Sequence, residues 1–554
     1  MLRKLLFAAV LAAVVALPAA AARHAVPDVV AQSLLMPGVS YQRQVQFTPH
    51  GPVVLDVVTA PRPDGSLYTL QPVLSNDAVV ATEKLTDMET ELKTTATTVG
   101  VNGDFFAANP GKPSGILIRG GELDTAPAVA RTSLGIAPDG TLSVARVTFD
   151  GTWRGTDQRR QLDLNAPPVK GHTTLYTPAW GPVTPAEAGV AVDVLDQLGP
   201  LTPNKVNTAV VTQVADHGSV PIPPNGAVLV SRGNQAPHLT AEAPLGTTVE
   251  LRPTLTPNWS VMRSAIGGGP QLVAAGKPVF RARESFGDPV LNRRAPRSAI
   301  GQTADGRILL VTVEGGTSAY SAGMTNFELA VAMAHLGAQV AYGLGTGASS
   351  AMAFDGDLLT RPSTGEQPIS DALILSYTGV YAAPPSTDVV SPNGDGVDDT
   401  QTFTVKVVHP SQLTATVTGP NKVPVTLAQA AEQPGTYTFP WDPTGQAEGD
   451  WTFAVSDGTT TATRGFSVNN TLGSVAVNGT DVSFELAHAA DVAVTVQNGN
   501  GVTVATVLAK KLEPGAQHAT WAGTPRSGYR VQVVATNTIG AVAVTVPFGS
   551  RRRS

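Results

Sequence analysis

The run Ile308-Leu309-Leu310-Val311-Thr312-Val313, followed by Thr325-Asn326-Phe327-Glu328 and later by Gly337, decides the fold. The opening run is apolar and β-branched and predicts a strand. Thr325 and Glu328 form a Thr-x-x-Glu capping box, residues 327–336 are apolar and helix-prone, and Gly337 supplies the stop. A second strand is expected over residues 339–344. A strand, a capped helix and a strand require the helix to lie on a sheet, so the expected class is α+β with a mixed sheet.

Upstream, the text alternates. Tyr41, Val45 and Phe47 share one parity, Val53-Val54-Leu55-Asp56-Val57-Val58 reads as a strand, and Pro61-Arg62-Pro63-Asp64-Gly65 is turn chemistry. Leu85, Met88 and Leu92 fall at i, i+3 and i+7 and predict a helix over residues 83–93. At the start, Arg3 and Lys4 precede an apolar run over residues 5–17, then Pro18 and a small-residue stretch to Ala22. That pattern reads as a signal peptide over residues 1–22, so a secreted or cell-envelope location is expected. The run is too short to span a bilayer, and no later stretch approaches the length that needs.

The chain has 554 residues, which at ordinary domain size predicts about three folding units. Hydrophobic residues make up 42%, which excludes wholesale disorder. Gly 55 and Pro 44 favour turns and short strands over long helices. Charged residues are 14% and the net charge is -6, which argues against a nucleic-acid partner with a basic footprint. Cys 0 excludes disulfides, a thiolate metal site and a cysteine nucleophile. His172, His217, His238 and His335 lack metal-ligand spacing.

Composition changes near residue 383. Ala383-Pro384-Pro385-Ser386-Thr387 reads as a linker that closes a first domain over residues 23–382. Beyond it, residues 401–408, 412–417, 450–455, 481–486 and 491–496 are short Val/Thr-rich runs between turns. They predict two β-sandwiches over residues 383–469 and 470–550, before a basic tail at 551–554. Ser391-Pro392-Asn393-Gly394-Asp395-Gly396 opens the first, and the motif resembles the start of exported Ig-like domains of the flagellar-hook-cap type. Trp521-Ala522-Gly523 with Gly528-Tyr529 resembles the hairpin of the same class. Asn393, Asp395, Asp398 and Asp399 offer oxygen ligands for calcium; an Asx-rich turn is the alternative. No other cofactor is expected.

Four glycine-rich clusters stand between residues 100 and 350: Val101-Asn102-Gly103-Asp104-Phe105-Phe106, Ile266-Gly267-Gly268-Gly269-Pro270, Pro296-Arg297-Ser298-Ala299-Ile300-Gly301 and Gly343-Leu344-Gly345-Thr346-Gly347-Ala348-Ser349-Ser350. Glycines at strand ends let backbone N–H groups approach a ligand, and a neighbouring arginine can fork onto a phosphate. No P-loop and no Gly-x-Ser-x-Gly elbow is present. Taken in order, with Pro113-Ser114-Gly115-Ile116, Ser321 to Thr325 and Glu328-Leu329-Ala330, these motifs resemble the phosphodiester glycosidase family, that of N-acetylglucosamine-1-phosphodiester alpha-N-acetylglucosaminidase.

The resemblance covers most of residues 40–378. It implies a hydrolase that splits a sugar-1-phosphodiester of envelope or extracellular glycans into free sugar and a phosphomonoester. The candidate catalytic groups are Asp104, Glu314 and Glu328, the last also placed to cap its helix. Candidate substrate contacts are Asn102, Gly103, Arg131, Gly268, Gly269, Arg297, Thr346, Ser349 and Ser350. The chain also departs from the family pattern: Gly345 stands where an aspartate is usual, and Gly316 and Gln367 stand where arginines are usual. Such losses imply altered or absent catalysis, and the alternative is an inactive glycan-phosphate binding or cell-surface adhesion protein.

Overall fold

The computed structural model describes residues 28–109, 111–279, 284–317 and 319–549. The expected signal peptide and basic tail lie outside these residues. Strands dominate, and the described residues hold four short α-helices: Leu85–Leu92, Ala236–Glu242, Asp288–Leu291 and Asn326–His335. The molecule is mostly β, because Val/Thr alternation and frequent turns outnumber helical periodicity.

The largest sheet of the first unit runs in the order Asp28–Met36, Val39–Thr48, Gly51–Ala60, Ile308–Val313, Arg297–Thr303, Ala338–Gly343, Gln271–Ala274 and Lys277–Pro278. Every pairing in it is antiparallel. Side-chain alternation splits its strands between two cores. Leu309, Val311 and Val313 face Leu329 and Met333 of the helix Asn326–His335, whereas Ile308 and Leu310 join a core with Val58, Val99 and Leu373. The helix expected on a sheet is there, capped as read. Glu328 N–H donates to Thr325 Oγ1 at 3.3 Å and Thr325 N–H donates to Glu328 Oε2 at 2.8 Å. Gly337 stops the helix at φ +91°, a left-handed conformation that favours glycine.

Two five-stranded sheets close over the second core. One runs Asp357–Leu358, Met352–Phe354, Thr97–Asn102, Asp371–Tyr377, Tyr68–Leu74; the other carries Ser264–Ile266 between Ser133–Ile136 and Leu117–Arg119. Strands between Thr148 and Thr256 form a further eight-stranded sheet with its own core around the fully buried Trp153. Here Asp163–Leu164 pairs in parallel with Thr173–Tyr176, so this sheet is mixed. Nothing in the sequence reading had set this insertion apart.

Residues 380–549 form two units, each of two sheets around one core. In the first, Phe403 stacks on Phe453 across the sheets at 4.1 Å. Around the expected boundary at 382 the two cores interleave: Tyr381–Ala382 pairs with Gln401–Val407, Val380 and Ala382 pack in the second unit's core, and Tyr381 packs in the first unit's. Ala383 N–H donates to Thr404 O and the Ser386 hydroxyl to Gln401 Oε1. Lys406 pairs with Asp355 of the first unit at 2.6 Å, and Arg464 donates to Ala382 O, Leu34 O and Leu35 O. At the second junction, Asn537 donates to Glu448 and Thr471 while Asn469 donates to Asn537 and Gly540 O.

Candidate functional site

The glycine clusters converge because they are strand ends. Strand Thr97–Asn102 ends on Asn102, Ala338–Gly343 runs out toward Gly345, and Arg297–Thr303 begins beside Ser298. Asn102 joins all three. Its Oδ1 accepts the Ser298 hydroxyl at 2.5 Å and Ala351 N–H at 3.2 Å, and its Nδ2 donates to Gly345 O at 2.9 Å. Gly345 N–H returns to Gly103 O at 2.7 Å. Gly103 is required by close approach: a Cβ there would lie 2.7 Å from Asp371 Cγ. A Cβ at Gly345 would meet Asp104 O at 2.9 Å and Asn102 Nδ2 at 3.0 Å, so the Asn102 amide occupies the space a side chain at 345 would need.

Beside this hub lie two buried carboxyls. Asp104 accepts Phe105 N–H at 2.7 Å and Gly115 N–H at 2.6 Å. Asp371 Oδ1 accepts Asp104 N–H at 3.0 Å and the Ser370 hydroxyl at 3.1 Å, while its Oδ2 has no partner. Burial raises the pKa of Asp104; burial, then the negative Asp104, raises that of Asp371. Two nearby buried carboxyls resist double ionisation.

A narrow, solvent-facing cleft of about 10 Å³, room for about one water, lies between Glu314, Ser350, Thr360, Pro362 and Ser363. Glu314 follows strand Ile308–Val313 and is almost fully buried. Its Oε1 accepts Arg43 Nη2 at 3.1 Å and Arg361 N–H at 2.9 Å, leaving Oε2 without a partner. The Ser350 hydroxyl is likewise buried and unpartnered. Unmet buried polar atoms are costly, and two of those in this structure line this one cleft. Behind Glu314, Arg43 Nε pairs with the fully buried Asp56 at 2.9 Å, and Tyr41 OH donates to the same carboxylate oxygen at 2.5 Å. Burial, with Glu314 nearby, raises the Asp56 pKa against the lowering pull of Tyr41 and Arg43.

The structure sorts the expected site residues. Glu314 and Ser350 line the cleft with Gly347, and Thr346 and Ser349 stand half-buried on the same loop. Asn102 and Gly103 form the hub floor. Asp104 is buried at the hub, its carboxylate engaged by backbone N–H groups. Gly268 and Gly269 are buried in left-handed backbone, and Gly269 N–H donates to Gly343 O. Arg131 lies 4.4 Å from the Phe286 ring centre and 5.5 Å from that of Phe105, on the Asp104 side.

Three of the expected groups are engaged within the protein itself. Arg297 does not face the cleft: it is fully buried and its guanidinium donates to Met324 O, Val290 O and Arg293 O at 2.9, 2.6 and 2.6 Å. Glu328 is engaged by its helix cap and by Arg294. The loop from Asn393 to Asp399 turns its oxygens inward on itself: Asp399 accepts Gly394 and Gly396 N–H, Asn393 Oδ1 accepts Asp395 N–H, and Asp395 Oδ1 accepts Val397 N–H. Asp398 is exposed, and among the described residues no three acidic or histidine side chains gather as a metal site. The Asx-turn alternative fits this loop.

Sequence reasoning missed Arg43, Asp56, Asp371 and Arg361. Asp371 carried a signal, since it opens an apolar strand where an acid is out of place.

Residues 204–376 match the family model described as phosphodiester glycosidase. That stretch carries Glu314 and Ser350 but not Asn102 or Asp104. The uncharacterized SPbeta prophage-derived protein YomE of Bacillus subtilis (strain 168) is 34% identical over 116 residues, 21% of this chain and 18% of that protein. The chain thus spans under a fifth of that relative's length. A hypothetical protein from Synechocystis aligns with a TM-score of 0.52 and 25% identity over 62% of each chain. A Burkholderia pseudomallei protein described as exported aligns with a TM-score of 0.49 and 22% identity, over 60% of this chain and 75% of that one. Among the described residues no helix is long and apolar enough to cross a membrane.

Proposed function

We propose that the chain is a phosphodiester glycosidase-type hydrolase, exported by its N-terminal segment, that acts on a sugar-1-phosphodiester of the N-acetylglucosamine-1-phosphate kind in envelope or extracellular glycans. The single observation that carries this is the cleft in which one Glu314 oxygen and the Ser350 hydroxyl stand without partners, inside the stretch that matches the family model. In the reaction, water oxygen bonds to the anomeric carbon and the carbon–oxygen bond to phosphate breaks. The electron pair leaves with the phosphomonoester. Glu314 Oε2 takes the water proton and the departing phosphate oxygen receives it, so the carboxylate is regenerated. Ser350 orients the substrate by hydrogen bonding. The two C-terminal units are read as Ig-like modules that hold this unit away from a surface.

The test is to incubate the purified chain with a benzyl phosphodiester of alpha-N-acetylglucosamine and measure free sugar. Release that is lost in Glu314→Gln is expected; no release from the unaltered chain rejects hydrolysis of that substrate.

A second reading is a non-catalytic glycan-phosphate binder. The engagement of Asp104, Arg297 and Glu328 in the chain's own hydrogen bonds favours it. Saturable binding without release selects it.

A further inference from the structure

We infer that Arg361, at the rim of the Glu314 cleft, is the residue that grips the phosphate of the ligand, the role its sequence setting had suggested for Arg297. The inference rests on the reading of this cleft as the ligand site.

Four observations carry it. Thr360 and Pro362, the neighbours of Arg361 on either side, both line the cleft. The Arg361 backbone N–H is fixed to Glu314 Oε1 at 2.9 Å, so the segment is pinned to the cleft's own acid. The Arg361 side chain is exposed, and its guanidinium sits 5.2 Å from the centre of the Tyr320 ring. Tyr320 in turn lies close enough to Glu314 to feel its charge: burial, then that carboxylate, raises the pKa of its phenol to about 12. Among the described residues no carboxylate forms an ion pair with Arg361, whereas Arg43, the other cation at Glu314, is committed to Asp56, Glu314 and Leu359 O.

The division of labour follows from these contacts. Arg43 offsets the charge of Glu314 from behind, in a partly buried ion pair. Arg361 is left with unengaged N–H donors on a planar group that the Tyr320 ring orients, the arrangement that suits a bidentate grip on phosphate. Ser363, two residues on and also lining the cleft, adds an exposed hydroxyl donor. The phosphate would therefore lie at the mouth of the cleft.

Titration calorimetry of the full chain with alpha-N-acetylglucosamine 1-phosphate, and with inorganic phosphate as a second probe, tests this. Saturable binding of both is expected. Arg361→Ala should weaken both at least tenfold and Arg361→Lys less, with the melting temperature unchanged because the side chain is exposed. Equal affinity in Arg361→Ala, or no binding of either probe by the unaltered chain, overturns the inference. Binding through Arg361 without any sugar release would remove the hydrolase reading and leave this one standing.

Discussion

Asn102 and Ser298, 196 residues apart in sequence, meet in a 2.5 Å hydrogen bond at the centre of the first unit. Through it the ends of strands from different sheets are held in one place, and both the carboxyl pair and the cleft are built outward from that point.

Replacing Asn102 by Ala strands three buried groups at once: the Ser298 hydroxyl, Ala351 N–H and Gly345 O. The expected loss is about 2–4 kcal/mol of stability, read in urea melts. Ser298→Ala removes one partner and should cost about 1 kcal/mol. Equal, small losses in the two variants would show that the hub does not hold the strand ends.

The carboxyl pair makes stability depend on pH in a defined direction. Asp104 and Asp371 titrate higher in the folded chain than when unfolded, so the folded state holds more protons from about pH 4 toward neutrality. Their contribution is therefore most favourable at low pH and declines as pH rises. Asp371→Asn removes the strained titration while keeping an oxygen for Asp104 N–H. Its melting temperature should gain on the unaltered chain steadily from pH 5 to pH 8, and parallel curves would reject the account.

At the cleft, Glu314→Gln keeps the shape and removes the proton acceptor. Sugar release should fall by a factor of about 10²–10⁴ in kcat, the usual worth of a positioned acid or base. Ser350→Ala should raise KM more than it lowers kcat. A Glu314→Gln protein with full kcat would exclude that carboxyl from the chemistry.

The helix cap separates stability from activity. Thr325→Ala should cost about 1 kcal/mol and leave kcat and KM alone, and Glu328→Ala should behave alike. A large drop in kcat for a folded Glu328→Ala chain would restore Glu328 to the catalytic set.

Calcium should leave the melting temperature of the whole chain where a chelator leaves it. Any ligand that binds only the folded state must raise that temperature, so a rise that Asp399→Ala abolishes would reinstate the metal site.

What could be read from the residues alone was what local chemistry fixes. The Thr325 and Glu328 cap involves neighbours three apart, and its signature is the same in text and in space. The glycine clusters were legible as strand ends, because glycine at such positions reports close backbone approach. Arg43 and Asp56 were invisible for the opposite reason. They sit in strands of ordinary alternation, and Arg43 finds Glu314 271 residues away. Arg297 misled because a lone arginine among glycines looks the same whether its donors meet a ligand or three backbone carbonyls. The sheet between Thr148 and Thr256 stayed hidden since its strands pair mainly with partners far along the chain.

Arg464 reaches back to the carbonyls of Leu34 and Leu35. With Lys406 on Asp355 and the asparagine lock at the second junction, each junction is tied by side-chain contacts as well as by the chain that runs through it.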